Sequence, residues 1–160
     1  MSGSEFANRL GEANVWNRRS PRAAFEVEAR VVSESDRQLT QMLSQHLNRR
    51  FRSSPAERVW VSRVWAVDVK VGRKTVTIGV RRHDHAPGLW ILAVGPGGPR
   101  GVLALLGGRR AIDMTADLLP ICREIHEFLS NTSGISQVRW YFTGSRTSVG
   151  TPEELPWGQA

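Results

Sequence analysis

Two histidines near the middle of the chain, His83 and His85, have the spacing of a metal-binding pair. On a β-strand, residues i and i+2 project to the same face, so both imidazoles could coordinate one ion. A zinc site needs at least a third ligand, and the strand pairing expected below places Ser62 and Trp60 opposite the two histidines. We therefore expect no metal and no other cofactor, and His83 and His85 are only weak candidate ligands.

Two arginines, Arg63 and Arg82, are predicted to lie directly opposite each other on an otherwise apolar face of a β-hairpin. Like charges in that arrangement destabilise a sheet unless they are neutralised. Asp84 is the next neighbour of Arg82 on this face and would neutralise the pair in a local cluster. Alternatively, the two guanidinium forks clamp a carboxylate or phosphate of a ligand, and Arg81 adds charge on the other face.

A glycine-rich turn with two further arginines, Arg109 and Arg110, precedes the second expected helix. Free backbone N–H groups at a helix start can bind an anion, and the alternative is an ordinary turn. Neither residues 107–110 nor the glycine-rich residues 95–101 match the phosphate-loop or dinucleotide-binding motifs. The sequence therefore predicts no nucleotide-binding fold.

Cys122 and His126 are four residues apart on an expected helix, the spacing at which a histidine could activate a thiol. Cys122 falls within the apolar stripe of that helix, however, where a thiol stays protonated and inert. The chain also lacks the G-x-S-x-G motif and an evident pair of catalytic carboxylates. Catalysis is therefore unsupported, and a metal-dependent enzyme at His83 and His85 is kept as an alternative.

Tryptophan is frequent, with six in 160 residues. Tryptophan and arginine are the residue types most enriched at the hot spots of protein interfaces, although tryptophans also fill protein cores. The candidate residues for contact with a partner or an anion are Arg63, Arg81, Arg82, Arg109, Arg110, Trp60 and Trp140.

The clearest structural pattern is a long β-hairpin formed by residues 59–71 and 74–83. Gly72-Arg73 between them fits a two-residue type II′ loop, which fixes the register of the strands. Val67 then faces Ile78 and Val69 faces Val76, which makes one face of the hairpin apolar. Because the loop type and the alternation of apolar residues agree, they predict the same pairing.

The other elements follow from periodicity. A strand is predicted over residues 25–31, a helix from a cap at Ser35 to about residue 51, and an apolar central strand over residues 88–94. A second helix begins near residues 115–117, and a strand follows it near residue 140. Further expectations are a strand at 102–106 and a helical turn at 151–154. We expect an α+β fold in which a mainly antiparallel sheet packs with two amphipathic helices.

The domain organisation is read from composition. Residues 1–22 lack periodicity and are predicted to be a flexible tail, and residues 1–6 (MSGSEF) are typical of an expression scar. Residues 23–160 are expected to form a single α+β domain. The lone cysteine cannot form an internal disulfide, and no apolar run is long enough to cross a membrane. We therefore expect a cytoplasmic protein without a membrane partner.

The charge is basic but unevenly distributed. The net charge is +7, with 19 basic and 9 acidic residues in 1–110 and 3 basic and 6 acidic residues in 111–160. Of the 22 basic residues all but Lys70 and Lys74 are arginine, which fits either selection for guanidinium groups or the codon bias of a GC-rich bacterial genome.

These observations favour a small intracellular, non-catalytic protein that acts by protein–protein binding. The alternative to it is sequence-nonspecific binding of nucleic acid or another polyanion, for which no motif is present. The arginines proposed for that alternative are Arg18, Arg19, Arg22, Arg49, Arg50, Arg52 and Arg58.

Overall fold

β-Strands dominate the computed structural model, which describes residues 21–28, 36–59, 64–83, 86–96 and 117–142. Within these ranges the chain forms a mostly antiparallel sheet of seven strands and two helices, consistent with the expected α+β class. The strands are β1 (Pro21–Val27), β2 (Arg52–Ser53), β3 (Glu57–Val59), β4 (Val64–Val71), β5 (Lys74–His83), β6 (Ala86–Pro96) and β7 (Ile135–Phe142); the helices are α1 (Asp36–Leu47) and α2 (Leu119–Asn131).

The strand order is β2-β4-β5-β6-β1-β7, and the short β3 pairs with β4 beside β2. All observed pairs are antiparallel. The first described strand thus lies between β6 and β7, so the two ends of the described chain meet inside one sheet.

The β4–β5 hairpin turns at Gly72-Arg73, where Gly72 has a φ of 60°. A positive φ at the first loop position is what a type II′ turn requires, and glycine adopts it without steric cost. Val67 pairs with Ile78 and Val69 with Val76, the pairs that this loop length dictates. Alternate residues of both strands therefore point to opposite faces of the sheet.

One face of the sheet, here called the helix face, packs against both helices. On β5 it carries Val76, Ile78 and Val80, all fully buried. The helices contribute one apolar stripe each, because leucines and isoleucines recur at helical spacing. The fully buried members of these stripes are Leu43 and Leu47 on α1 and Ile121, Cys122, Ile125 and Leu129 on α2. Leu118, which immediately precedes α2, is also fully buried.

The opposite face, here called the back face, carries the other residues of each strand. On the hairpin it presents Asp68, Lys70, Thr75 and Thr77, which are partly or fully exposed. Since side chains alternate along a strand, the polar residues here are the counterpart of the apolar helix face.

The two helices are also linked by charge. Glu124 of α2 is buried and accepts from Arg50 at 2.6 Å, and its other oxygen lies 3.3 Å from His46 Nε2. The rings of His46 and Phe128 are 5.5 Å apart. His46 is therefore a packed residue of the helix interface, as its place beside the apolar stripe of α1 indicates.

Several predicted features fall outside the described residues. The strand at 102–106, the turn at 151–154 and the helix cap at Ser35 are among them, as are residues 1–20 of the predicted tail. Pro21 and Arg22, which the sequence pattern assigns to that tail, are the first two residues of β1. Their place in the sheet comes from pairing with β7, which the local sequence does not reveal.

Candidate anion-binding groove

Four exposed cations lie at the end of the sheet where the β4–β5 hairpin turns. Arg49 follows α1, Arg52 pairs with Lys70 across β2 and β4, and Arg73 is in the hairpin loop. None of the four forms an ion pair with a carboxylate of the described residues. We call Arg49, Arg52, Lys70 and Arg73 the basic end.

A groove of about 640 Å³, lined by polar and charged residues, opens at the basic end. Two of the four cations line it, together with hydroxyl, amide and carboxylate groups. Its lining consists of Asn48, Arg52, Ser53, Ser54, Asp68, Lys70 and Thr75.

The wall of the groove beside α1 is fixed by hydrogen bonds between the end of that helix and β2. The Ser53 backbone N–H donates to Asn48 Oδ1 at 2.8 Å, which ties the turn after the helix to the strand. Ser44 Oγ, buried in α1, donates to the Ser54 carbonyl at 2.5 Å. The groove is thus attached to the core, because Ser44 lies one residue after the buried Leu43.

The edge strand β2 ends at Ser53, and at Ser54 a side-chain hydroxyl replaces a backbone carbonyl in the hydrogen bonding to β4. The Ser54 N–H donates to the Asp68 carbonyl at 2.8 Å, and Ser54 Oγ accepts from the Asp68 N–H at 2.9 Å. A serine hydroxyl can satisfy a strand N–H in this way, which lets the chain turn away before β3 begins. This interruption opens the groove at the sheet edge.

Inside the groove, two cross-strand contacts hold the charged side chains of β4. Lys70 Nζ donates to Thr75 Oγ1 at 2.7 Å, and Thr77 Oγ1 donates to Asp68 Oδ1 at 2.6 Å. The groove therefore offers ammonium, guanidinium and hydroxyl donors, with the Asp68 carboxylate as an acceptor. Such a donor set can bind the oxygens of an anion and one neighbouring hydroxyl group.

The two candidate arginines on β5, Arg81 and Arg82, lie on opposite faces, as the alternation along the strand predicts. Arg82 lies on the helix face, where its Nε donates to Asp36 Oδ1 at 2.7 Å and its guanidinium carbon is 5.0 Å from the Trp90 ring centroid. Arg81 lies on the back face and is exposed. The other members of the expected cluster, Arg63 and Asp84, lie outside the described residues.

The structure places Arg82 against α1, which sequence reasoning missed. Asp36 is 46 positions away in the chain and is the first residue of α1. A carboxylate at this position also suits the positive end of the helix dipole. Nothing local to β5 indicates this partner, because the contact depends on how the helix crosses the sheet.

Of the candidate tryptophans, Trp140 is fully buried in the core. Its Nε1 donates to His126 Nδ1 at 3.3 Å, so the ring joins β7 to α2 and is not part of an exposed patch. Trp60, Arg109 and Arg110 lie outside the described residues.

Of the candidate metal ligands, His83 is on β5 and pairs with Ala86 after an irregularity in the strand, and His85 lies outside the described residues. No group of three or more metal-ligating side chains occurs in the part of the chain that the structure describes.

The pair formed by Cys122 and His126 is embedded in the core. Complete burial raises the pKa of the Cys122 thiol far above its ordinary value. Burial also lowers the pKa of His126, whose Nδ1 already accepts the Trp140 N–H. The thiol therefore stays protonated, and Cys122 is a buried core residue.

The sequence contained a partial signal for the groove. Lys70 and Thr75 were predicted to share the polar face of the hairpin, and Arg52 belongs to a basic run after α1. The residues 53–55 (Ser-Ser-Pro) read as a helix break, and only the fold brings that break beside β4.

No helix in the described ranges has the length and apolar character needed to traverse a bilayer. Comparison with protein-family models, with curated proteins and with solved structures finds no match to this chain.

Proposed function

We propose that this protein binds nucleic acid through contacts to the phosphate backbone, without sequence preference, at the groove of the basic end. The observation that carries the proposal is a groove lined by two exposed cations, Arg52 and Lys70, for which the described residues provide no carboxylate partner. Arg50 and Lys74, which lie close to these cations in the chain, are instead paired with carboxylates.

The charge balance at the groove supports an anionic ligand. Asp68 is its one acidic lining residue, against Arg52 and Lys70, and its Oδ1 accepts from Thr77. Arg49 and Arg73 do not line the groove, but both are exposed, and in the chain Arg49 follows Asn48 and Arg73 precedes Lys74. An uncompensated group of this kind attracts polyanions at long range and releases their counterions on contact.

The lining favours phosphate over a protein surface. Protein interfaces obtain most of their affinity from buried aromatic or apolar anchors surrounded by polar contacts. The groove has no aromatic or aliphatic lining residue among those described. Phosphate groups need only charged and hydroxyl donors, which Arg52, Lys70 and Thr75 provide.

The expected mode of binding follows from the geometry of the donors. Arg52 and Lys70 are directly paired across two strands, so they can contact the oxygens of one phosphate or two successive phosphates. The Asp68 carboxylate can accept from a sugar hydroxyl. The groove lacks a platform for base stacking, which is why we propose backbone contact without base recognition.

The test is fluorescence anisotropy of a labelled oligonucleotide with the full chain and with the double variant Arg52→Gln/Lys70→Gln, over a series of salt concentrations. We expect the wild-type affinity to fall steeply with salt, and the slope of log K against log[salt] to become shallower by about 1.8 on duplex DNA in the variant. Arg123→Gln is the control, since Arg123 is an exposed cation on α2, which packs on the helix face.

Three results would contradict the proposal. They are absence of binding at low salt, an unchanged slope in the double variant, and an equal loss in Arg123→Gln. A fourth arm measures competition by polyglutamate. If polyglutamate displaces the oligonucleotide as well as unlabelled DNA does at equal charge, the groove binds acidic protein segments, as the expected protein–protein role requires, and the nucleic-acid proposal is wrong.

A further inference from the structure

A second group of arginines lies on the back face, away from the groove. Arg22 of β1 pairs with Tyr141 of β7, and Arg139 of β7 pairs with Ala24 of β1. Because Arg22 and Ala24 alternate with Ala23, both arginines project from the same face as diagonal neighbours, a placement within reach of long side chains.

Each of these arginines has an unsatisfied donor. The Nε atoms of Arg22 and Arg139 are buried and have no hydrogen-bond partner. Within the described part of the chain neither arginine forms an ion pair, although Glu26 lies on the same face of β1. Buried donors of charged groups are normally satisfied, so two on neighbouring strands indicate a missing acceptor.

The backbone beside Arg139 is shaped to orient its side chain. The β1–β7 register shifts between Ala24 and Glu26, and Gln137 in this irregular stretch has a φ of 54°. It is the one described residue other than glycine with a positive φ. Gln137 Oε1 accepts from Arg139 Nη2 at 3.1 Å, which fixes the guanidinium group. Bulges commonly redirect a side chain beside a binding site.

The surroundings strengthen contacts with an anion. Ala24 and its β6 partner Ile91 are each 1% exposed, so the floor between the arginines is closed to water. Arg81 pairs with Ile91 from the other side and is exposed, which places a third guanidinium on the same row of the face. Low local polarity increases the attraction between a guanidinium and an oxyanion.

We infer that Arg22 and Arg139, with Arg81 at the rim, form a site for one small oxyanion, a phosphate or carboxylate group. Two guanidinium groups match the charge of a phosphate dianion, and because both Nε atoms are buried, the two side chains must turn outward to present these donors to its oxygens. This site is distinct from the groove of the proposed function, shares no residue with it and does not depend on it.

The test uses the full chain and inorganic phosphate as the probe. Thermal unfolding is followed with phosphate and with sodium chloride of equal ionic strength, and a second series uses acetate to separate carboxylate from phosphate recognition. We expect phosphate to raise the Tm by about 4 °C at about ten times its Kd, and chloride to have no such effect. An equal response to acetate assigns the site to carboxylates.

Variants locate the effect. Arg139→Gln and Arg22→Gln should abolish the phosphate response, whereas Arg123→Gln and Arg52→Gln should keep it. Arg139→Lys preserves the charge but not the planar fork, and should lose most of the response while folding normally. If Arg139→Lys and Arg139→Gln both respond like the wild type, the inference is wrong.

A direct readout comes from the Nε–H resonances of the arginines in ¹H–¹⁵N NMR spectra. Phosphate should shift those of Arg22 and Arg139 and leave that of Arg123 in place. Unmoved Arg22 and Arg139 signals at saturating phosphate would overturn the site even if the Tm rises. Oligonucleotide binding by Arg139→Gln should equal that of the wild type, so failure of one proposal does not imply failure of the other.

Discussion

Arg81 and Arg82 are consecutive residues of one strand, yet they lie in different environments. Arg82 is held on the helix face between Asp36 and the ring of Trp90. Arg81 projects from the back face, where its neighbours across the sheet are Ile91, Ala24 and Arg139. The difference teaches that an arginine of β5 has a carboxylate partner where a helix covers the sheet, and that Arg81 on the other face is exposed, as the proposed anion site requires.

The two faces of the sheet also differ in composition, although the middle of the back face is apolar and buried at Ala24 and Ile91. The helix face is filled by valine, isoleucine, leucine and tryptophan, and its one described arginine on β5 is paired. The back face carries the groove and the Arg22–Arg139 pair. The following experiments test how sharply the two faces differ in stability.

The largest difference is expected for a matched pair of valines in the hairpin. Val80 is fully buried on the helix face, whereas Val64 is half-buried on the back face. Val80→Ala should lower the free energy of unfolding by about 2–3 kcal/mol, because it leaves a cavity in the core. Val64→Ala should cost about 1 kcal/mol or less. Urea denaturation measures both, and equal losses would show that the back face is packed like the core.

A smaller difference is expected for the consecutive arginines. Arg82→Ala removes the ion pair with Asp36 and the contact with Trp90, and we expect a loss of about 1 kcal/mol because the side chain is 39% exposed. Arg81→Ala should change stability by less than about 0.5 kcal/mol. The measurement is again urea denaturation. A larger loss in Arg81→Ala than in Arg82→Ala would reverse the assignment of roles.

The smallest effect is a pH dependence that originates beneath the helix face. Burial lowers the pKa of His126 from 6.5, and a protonated Nδ1 could not accept the Trp140 N–H. The unfolded chain therefore binds more protons than the folded chain near and below pH 6.5. Stability should fall as the pH is lowered through this range.

The measurement compares the wild type with His126→Gln by urea denaturation at about pH 7.5 and about pH 5.5, which bracket the ordinary histidine pKa. The loss of stability on acidification should be smaller in the variant, which cannot titrate at this position. Equal losses would show that His126 does not contribute, and an NMR titration of His126 with a midpoint above 6.5 would contradict the direction.

Much of the local structure followed from the sequence. The loop at Gly72-Arg73 and the alternation around it define the β4–β5 pairing, since a two-residue turn leaves one register. The apolar stripe of α2 was readable from Leu118, Cys122 and Ile125, because helical spacing alone marks a buried face. These features depend on residues close together in the chain.

The environments of the candidate site residues were harder to predict from the sequence. Arg81 was identified on the face away from the apolar side of the hairpin, but Trp140 was a candidate for partner contact and lies in the core. Burial of an aromatic residue depends on what packs over it, which a strand pattern does not state. Arg63, Arg109, Arg110 and Trp60 stay predictions, since they lie outside the described residues.

The sequence by itself determined the α+β class, the hairpin register and an excess of arginine, because turn type, periodicity and composition are properties of short segments. Only the tertiary structure decided which of the described arginines have a carboxylate partner. Pairing of β1 with β7 brings Arg22 beside Arg139, and the approach of β2 to β4 brings Arg52 beside Lys70. Docking of α1 on the helix face gives Arg82 its carboxylate. Charge becomes available for a ligand only where the fold provides no internal counter-ion.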